Sequence, residues 1–370
     1  PKDMRRVVLV GAELGEPDLA GKDLEGAELD GLDLRGADLA GARLVQCVLT
    51  NANLRGADLT GADLEHAVLV EADLRDAALA GAKVSRCMML RAKLERADLS
   101  ARELHATILV GADLRLANLA GARIELSAFD EADLGEADLS RVAVRQASFA
   151  RAQLTRAKLE RGRFEATDFG GADLSGVVLA GLSLVRCGFR GSDFAGRTFL
   201  RCDLTGADFT RAKLAGATFE QCTLTQATLD EADLEGASFV EVVAKGAFFG
   251  KARLAGASLG RATLRHATFT AANVAKARFG GADLRETLFD GADARGASFA
   301  GARLAYADLS HADLRASDFT RADLASANLF AARDAGAIWD GASTLGMKRE
   351  DEGRAAAEAW RPPARAARGG

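Results

Sequence analysis

The sequence has few of the residues that ordinary globular proteins use in turns and mixed cores: four prolines, two tryptophans and one tyrosine among 370 residues. An excess of one charge is also missing, because 53 acidic residues are nearly balanced by 48 basic ones and the net charge is −5. Nucleic-acid-binding domains are usually distinctly basic, so we expect no direct nucleic-acid binding. No apolar run approaches the ~18 residues of a membrane helix, and the N-terminus lacks the apolar segment of a signal peptide. We therefore expect a cytoplasmic protein that does not insert into membranes.

Residues in the spacings that metal, redox or catalytic sites require are missing as well. The five cysteines are separated by multiples of five residues with no C-x-x-C pair, and we expect them to be buried free thiols. The four histidines are scattered, are expected to point outward, and have no Ser or Cys nucleophile beside them. No Walker-type phosphate loop occurs. We expect no catalytic, cofactor-binding or metal-binding residues and no enzymatic activity.

What the sequence does have is a repeat of five residues. Stepping by five from Leu14 to Trp339 gives 66 positions without an insertion or deletion, of which 41 are Leu and 16 are Phe. We call these the centre positions. Two residues before the centre, at what we call the small inward position, 45 of 66 residues are Ala and five are Cys. Asp or Asn often comes directly before the centre. A period of five fits neither a helix of 3.6 residues per turn nor an alternating strand.

A four-sided coil of twenty residues satisfies this pattern, because each side then turns one large and one small residue inward. Successive coils would pair at the ~4.8 Å spacing of strands. The chain here resembles the pentapeptide-repeat family, with its motif A-(D/N)-L-x-x, over roughly residues 7–343. The resemblance implies an all-β fold, a right-handed quadrilateral β-helix. We expect a solenoid of about 16 coils, roughly 80 Å long, with Phe residues in two columns on opposite sides of the core.

The chain divides into one architectural unit and its ends. We expect a lead-in strand at 1–13, the β-helix at 14–344, a capping helix at 345–361 and a flexible tail at 362–370. The helix, with Trp339 and Trp360, would cover the open end of the rod, since such ends expose unpaired strand edges. Lys22, Arg102 and Arg197 occupy small inward positions. They mark either local distortions or a ligand site.

One side of the rod carries apolar residues at slots that are polar elsewhere. We predict that this apolar stripe binds a protein partner or a second copy of the chain, since an exposed patch of several hundred Å² is a candidate contact surface. The alternative is that the protein's own tail or a further domain covers it. The stripe consists of Val48, Val68, Val70, Met88, Leu90, Ile108 and Val110.

A second candidate surface is an acidic segment, which matters because of what the family resemblance implies about function. Some pentapeptide-repeat proteins resemble B-form DNA and bind DNA gyrase through strongly acidic faces. The one DNA-like segment in this sequence consists of Glu16, Asp18, Asp38, Asp58 and Asp76. We expect a bacterial scaffold or protein-interaction rod. The alternatives are a DNA-mimic inhibitor or protector of DNA gyrase and, further, a repeat module of a larger secretion-associated protein.

Overall fold

The computed structural model describes residues 2–10, 17–350 and 352–359. Several residues invoked above lie outside the described residues: the first centre Leu14, the acidic Glu16, Trp360 and the tail at 362–370.

The backbone is a stack of coils that repeat every twenty residues. Residues directly before the centres form parallel bridges with residues twenty positions later, from Asp3 with Asp23 to Asn328 with Lys348. Most sides of the coil contribute only a single bridging residue, because a turn follows every five residues. The predicted β-helix is thus confirmed as a parallel β-solenoid, and its ladder runs to Lys348.

Two sides of the rod extend into three-residue strands. A five-stranded parallel sheet contains β1 (Glu103–His105), β2 (Arg123–Glu125), β3 (Ala143–Arg145), β4 (Arg163–Glu165) and β5 (Ser183–Val185). A second, two-stranded sheet contains β6 (Thr198–Leu200) and β7 (Thr218–Glu220). A helix, α1, covers Glu352–Ala359.

The core is the continuous column of centre positions inside the coils. Every centre from Leu19 to Leu329 is buried, and the alanines at the small inward positions are nearly all buried beside them. Burying each Leu or Phe stabilises the fold by about 1.5–3 kcal/mol relative to exposure. Near the C-terminal end Asp334 and Trp339 are only half-buried. The inward assignment made from the five-residue period therefore holds along the rod.

Most of the buried phenylalanines form two stacks that meet across the core. Phe249 and Phe269 stack with ring centroids 4.7 Å apart and planes inclined by 1°. Phe279, on the opposite side, meets Phe269 edge-on at 5.7 Å and 89°. Offset stacks and edge-to-face pairs are the arrangements that the ring quadrupole favours. The second stack ends at Trp339, which lies 4.5 Å from Phe319 and beneath the guanidinium of Arg349.

The corner residue, two positions after each centre, has a positive φ along most of the rod. Gly171 has a φ of 68°, and non-glycine corners adopt the same conformation, as Arg151 does with a φ of 57°. A positive φ is uncommon outside glycine. Here each corner is held by a turn bond, such as the amide of Ala152 donating to the carbonyl of Phe149 at 3.0 Å, and by the ladder between coils. Glycine is therefore favoured but not required at most corners.

Arg197 lies at a local distortion of the rod. Its guanidinium donates to the carbonyl oxygens of Leu174 at 3.2 Å and Val177 at 2.6 Å, where the regular bridges lapse and Val178 is 60 % exposed. Arg102, also half-buried, donates to the carbonyl of Ser100 at 3.0 Å. Lys22 is half-buried, too. Arg197 thus donates to two backbone carbonyls at the irregular coil, one of which, that of Leu174, also accepts the turn bond from the Val177 amide.

The described contact of α1 lies on the flank of the rod. Nε2 of His311 is 3.1 Å from a carboxylate oxygen of Glu358, and Nδ1 of His311 is 2.9 Å from Asp290. His311 is a corner residue of an inner coil, with a φ of 55°. That the helix also covers the open end stays a prediction. No helix in the described part of the chain has the length and apolarity that a membrane span requires.

Candidate interaction surfaces

The apolar stripe is a stacked column in the structure. Val48 bridges to Val68, Val68 to Met88, and Met88 to Ile108, so four successive coils place these side chains one above another. Met88 is 40 % exposed, and the others are half-buried by their neighbours in the column. Val70, Leu90 and Val110 form a parallel column on the other side of the centres and are half-buried as well. The seven side chains therefore share one continuous face.

The same face becomes mostly polar beyond the stripe. After Ile108 the column continues with Ala128, Ser148 and Asp168. Phe248 and Leu288 are each 44 % exposed on this column, but Thr268 lies between them. The stripe is thus the longest uninterrupted apolar column that the described residues place on this face.

The predicted acidic segment forms a shorter ladder on the opposite face, half a coil away from the stripe. Asp18 bridges to Asp38 and Asp38 to Asp58, and all three side chains are exposed. Each carboxylate accepts a hydrogen bond from the backbone amide two residues on, and bonds from Thr60 lower the pKa of Asp58. The ladder ends at Ala78, which bridges to Asp58. Asp76 lies at a corner and pairs with Arg55 at 3.2 Å.

Most other surface charges are neutralised by neighbours in the same or the adjacent coil. Asp113 and Arg115 pair within one side of a coil at 2.6 Å, and the Arg115 guanidinium lowers the pKa of Asp113. Arg151 reaches Glu131 in the preceding coil at 2.7 Å. Exposed pairs of this kind contribute at most about 1 kcal/mol each. The pairs also cancel the negative charge of the carboxylates that take part in them, which weakens the acidic field at the surface.

The side chains that could carry chemistry are placed as the sequence predicts. All five cysteines are buried free thiols at small inward positions. Burial raises the pKa of Cys47 to about 11 and that of Cys87 to about 12. Their thiols donate to backbone carbonyls, as hydroxyls at the same position do, for example Thr107 to the carbonyl of Val84 at 2.9 Å. A thiol held protonated in this way is a poor nucleophile and metal ligand.

One feature of the surface was missed by the sequence analysis. Strands β2–β5 form the floor of an open groove of about 630 Å³, which we call the arginine groove. Its polar lining comprises Arg123, Arg145, Arg163, Glu125, Glu165 and Ser183. The available signal was a set of hydroxyl residues at small inward positions, Thr107, Ser127 and Thr167, each of which comes two residues after the end of a three-residue strand. The charges lining the groove look ordinary in the sequence because acids and bases alternate there.

The repeat, the parallel ladder and the alternation of large and small core residues define a solenoid protein, and the chain belongs to the pentapeptide-repeat family. The family model described as pentapeptide repeats matches it over most of its length. The matched segments are residues 8–46, 33–70, 67–101, 103–135, 127–165, 163–196, 202–239, 247–286, 282–321 and 297–333.

Three solved structures illustrate the likeness. HetL from Nostoc sp. strain PCC 7120, involved in heterocyst differentiation regulation, is 25% identical with a TM-score of 0.30, covering 62% of this chain and 88% of its own. Full-length QnrB1, a plasmid-mediated fluoroquinolone resistance protein, is 23% identical with a TM-score of 0.27, covering 56% and 96%. A thylakoid-lumen protein of Arabidopsis thaliana is 27% identical with a TM-score of 0.22, covering 28% and 68%. Superpositions this loose carry no argument about function. Among curated proteins, no sequence matches this chain.

Proposed function

We propose that the protein is a non-enzymatic interaction rod that binds another protein molecule through the apolar stripe. The observation that carries the proposal is the stack of Val48, Val68, Met88 and Ile108 in four successive coils, with a second apolar column beside it. Exposing such a surface to water is unfavourable, and covering it with a partner lowers the free energy. The rod holds the stripe rigid, so little conformational entropy is lost on binding.

The first occupant to test is a second copy of the chain. Burying the stripe against itself would remove roughly 600–1,000 Å² in total, which is at or below the lower limit of a specific interface. At ~25 cal/mol per Å² this gives about 15–25 kcal/mol before the association cost of ~4–15 kcal/mol and side-chain ordering. A dimer of weak to moderate affinity is the expected result.

The test is to replace Val68, Met88 and Ile108 together by Asp and to measure sedimentation velocity. The fold should survive, because Asp already occupies this column at Asp168 and Asp208. We expect the wild-type dimer to become a monomer with an unchanged far-UV CD spectrum. A matched control places Asp at three polar positions of the same column, Ser148, Thr228 and Thr268, and should leave the dimer intact. A monomeric wild type whose triple variant unfolds would show that the stripe is part of the folded core.

The second candidate function is mimicry of DNA towards DNA gyrase, and the observation that favours it is the ladder of Asp18, Asp38 and Asp58. In the part of the chain that the structure describes, no Lys or Arg lies within ion-pair distance of these three carboxylates. The ladder covers only three coils, so we rank it second. A gyrase supercoiling assay tests it directly: inhibition at low micromolar protein, lost when Asp38 and Asp58 become Asn, would place mimicry first.

A further inference from the structure

We propose that the arginine groove is a second binding surface, which takes an acidic, extended peptide segment of a partner protein. A carboxylate of that segment would lie over Ala143, between the guanidinium groups of Arg123 and Arg163.

The spacing of the groove follows from the register of its sheet. Arg123 pairs with Ala143, and Ala143 pairs with Arg163, so the two arginines stand two coils apart on one column with a methyl group between them. At the strand spacing this separation is roughly 9–10 Å. All three side chains are exposed. The column therefore contains a gap over Ala143 that lies between two cationic side chains. The gap is wide enough for one side chain of a ligand.

Only some of the charged side chains in the groove have an ion-pair partner. On the other side of the centres, Glu165 contacts both Arg186 and Arg145, the latter at 3.9 Å, and Glu125 lies 3.6 Å from His105. Arg123 and Arg163 make no ion pair with any described residue. A guanidinium offers a rigid fork of N–H donors that matches a carboxylate. The two arginines without a carboxylate therefore form the anion-binding half of the groove.

Two further unpaired arginines border this half. Arg141 and Arg161 are exposed corner residues, each two positions before the first residue of β3 or β4. Neither forms an ion pair with a described carboxylate. The positive column therefore continues around the edge of the rod. Such a cluster raises the local concentration of anions and speeds their association.

The chemistry of the groove favours a peptide over a nucleic acid. Glu125 and Glu165 line it beside the arginines, and they would repel a continuous run of phosphates. A peptide can place an acidic side chain over Ala143 and a neutral or basic one beside the glutamates, since alternate residues of an extended chain point to opposite sides. The groove is also open to solvent, as binding of an extended segment requires.

The experiment measures binding of a fluorescent ten-residue peptide with Glu at alternate positions to the full chain by anisotropy. Replacing Arg123 and Arg163 together by Ala should weaken binding about tenfold or more, which corresponds to ~1.4 kcal/mol. Ala143→Glu keeps every arginine but fills the gap with a carboxylate of the chain itself, and should weaken binding at least as much. Arg303→Ala removes one positive charge from the equivalent slot of a distant coil, and should change binding little.

Each outcome decides the proposal. Loss in the double variant and in Ala143→Glu, with Arg303→Ala and the melting temperatures unchanged, supports it. Equal loss in Arg303→Ala would overturn it, because binding would then reflect general charge. Tighter binding of a single-stranded oligonucleotide of equal charge would also overturn it in favour of a nucleic-acid surface. Since none of these residues lies on the apolar stripe, the result is independent of the dimer test.

Discussion

The repeat motif and the structure predict opposite effects of the substitution Gly162→Ala on the stability of the rod. Alanine fills most small inward positions, and Gly→Ala at a compatible site stabilises by ~0.4–1 kcal/mol through the unfolded chain. A methyl carbon added at Gly162 would lie 2.7 Å from Cε2 of Phe164 and 2.8 Å from the carbonyl oxygen of Leu159. Neither distance is tolerable for a carbon atom. We therefore expect Gly162→Ala to destabilise the rod.

The magnitude follows from how firmly the two obstacles are held. Phe164 is 1% exposed and meets Phe169 edge-on at 5.4 Å, so its ring cannot swing aside without disturbing the Phe stack. The Leu159 carbonyl accepts the turn bond from the Gly162 amide at 2.8 Å. Overpacking of this kind costs about 1–3 kcal/mol. After the gain from the unfolded state, the expected net loss is about 1–2 kcal/mol.

The measurement is urea unfolding followed by far-UV CD. The variant should unfold at a lower midpoint urea concentration, with an unchanged dependence of the free energy of unfolding on urea. Gly260→Ala is the matched control, because its methyl group would come only within 3.6 Å of the Gly280 carbonyl. It should be neutral or stabilising. In a Phe164→Leu background the cost of Gly162→Ala should shrink, since the ring contact is gone and only the Leu159 contact remains. If Gly162→Ala stabilises as Gly260→Ala does, or costs the same in both backgrounds, the steric reasoning is wrong.

Three further predictions follow from buried or paired groups. Iodoacetamide should alkylate all five native cysteines slowly, because all five are buried and burial raises the pKa of Cys47 to about 11 and that of Cys187 to about 12. Rapid labelling of several thiols, seen by mass spectrometry, would contradict their inward placement. Hydrogen bonds to Asp290 and Glu358 raise the pKa of His311, so the contact with α1 should be strongest below the ordinary histidine pKa and be lost as pH rises through the raised one. Amide exchange in α1 should then increase with pH beyond its intrinsic rate, and His311→Ala should remove that dependence. Arg197→Ala restores the motif but should lower stability by about 1–3 kcal/mol in urea unfolding, because two carbonyls lose a charged donor.

Much of the fold could be predicted because one period specifies it. Because each five-residue repeat has one large and one small inward position, Leu39 and Ala37 are predicted to lie in the core. Because each coil contains twenty residues, Phe249 and Phe269 are predicted to stack on each other. The stacking of the apolar stripe follows from the same arithmetic. Its function could not be predicted in the same way, because a partner leaves no trace in the repeat.

The features that escaped prediction depend on backbone detail and on distant contacts. Arg151 looks like an ordinary surface residue in the sequence, yet it adopts a positive φ because the ladder fixes the corner. The arginine groove depends on where turns open into strands, which the period does not encode. The contact between His311 and Glu358 joins residues 47 positions apart, and the repeat does not include Glu358.

The twenty-residue ladder has a consequence for how this chain can change its length. Removing one pentad keeps every Leu and Phe inside, yet it rotates all later coils by a quarter turn relative to the earlier ones. A deletion between Leu69 and Met89 would therefore cut the column of Val68 and Met88 and move its second half onto another face. Only the loss or gain of whole coils preserves both the interior and the surface pattern. Insertions and deletions in the gene that preserve the binding surface should thus come in multiples of sixty nucleotides. A change of fifteen nucleotides would preserve the core of the rod but disrupt the order of side chains on its faces.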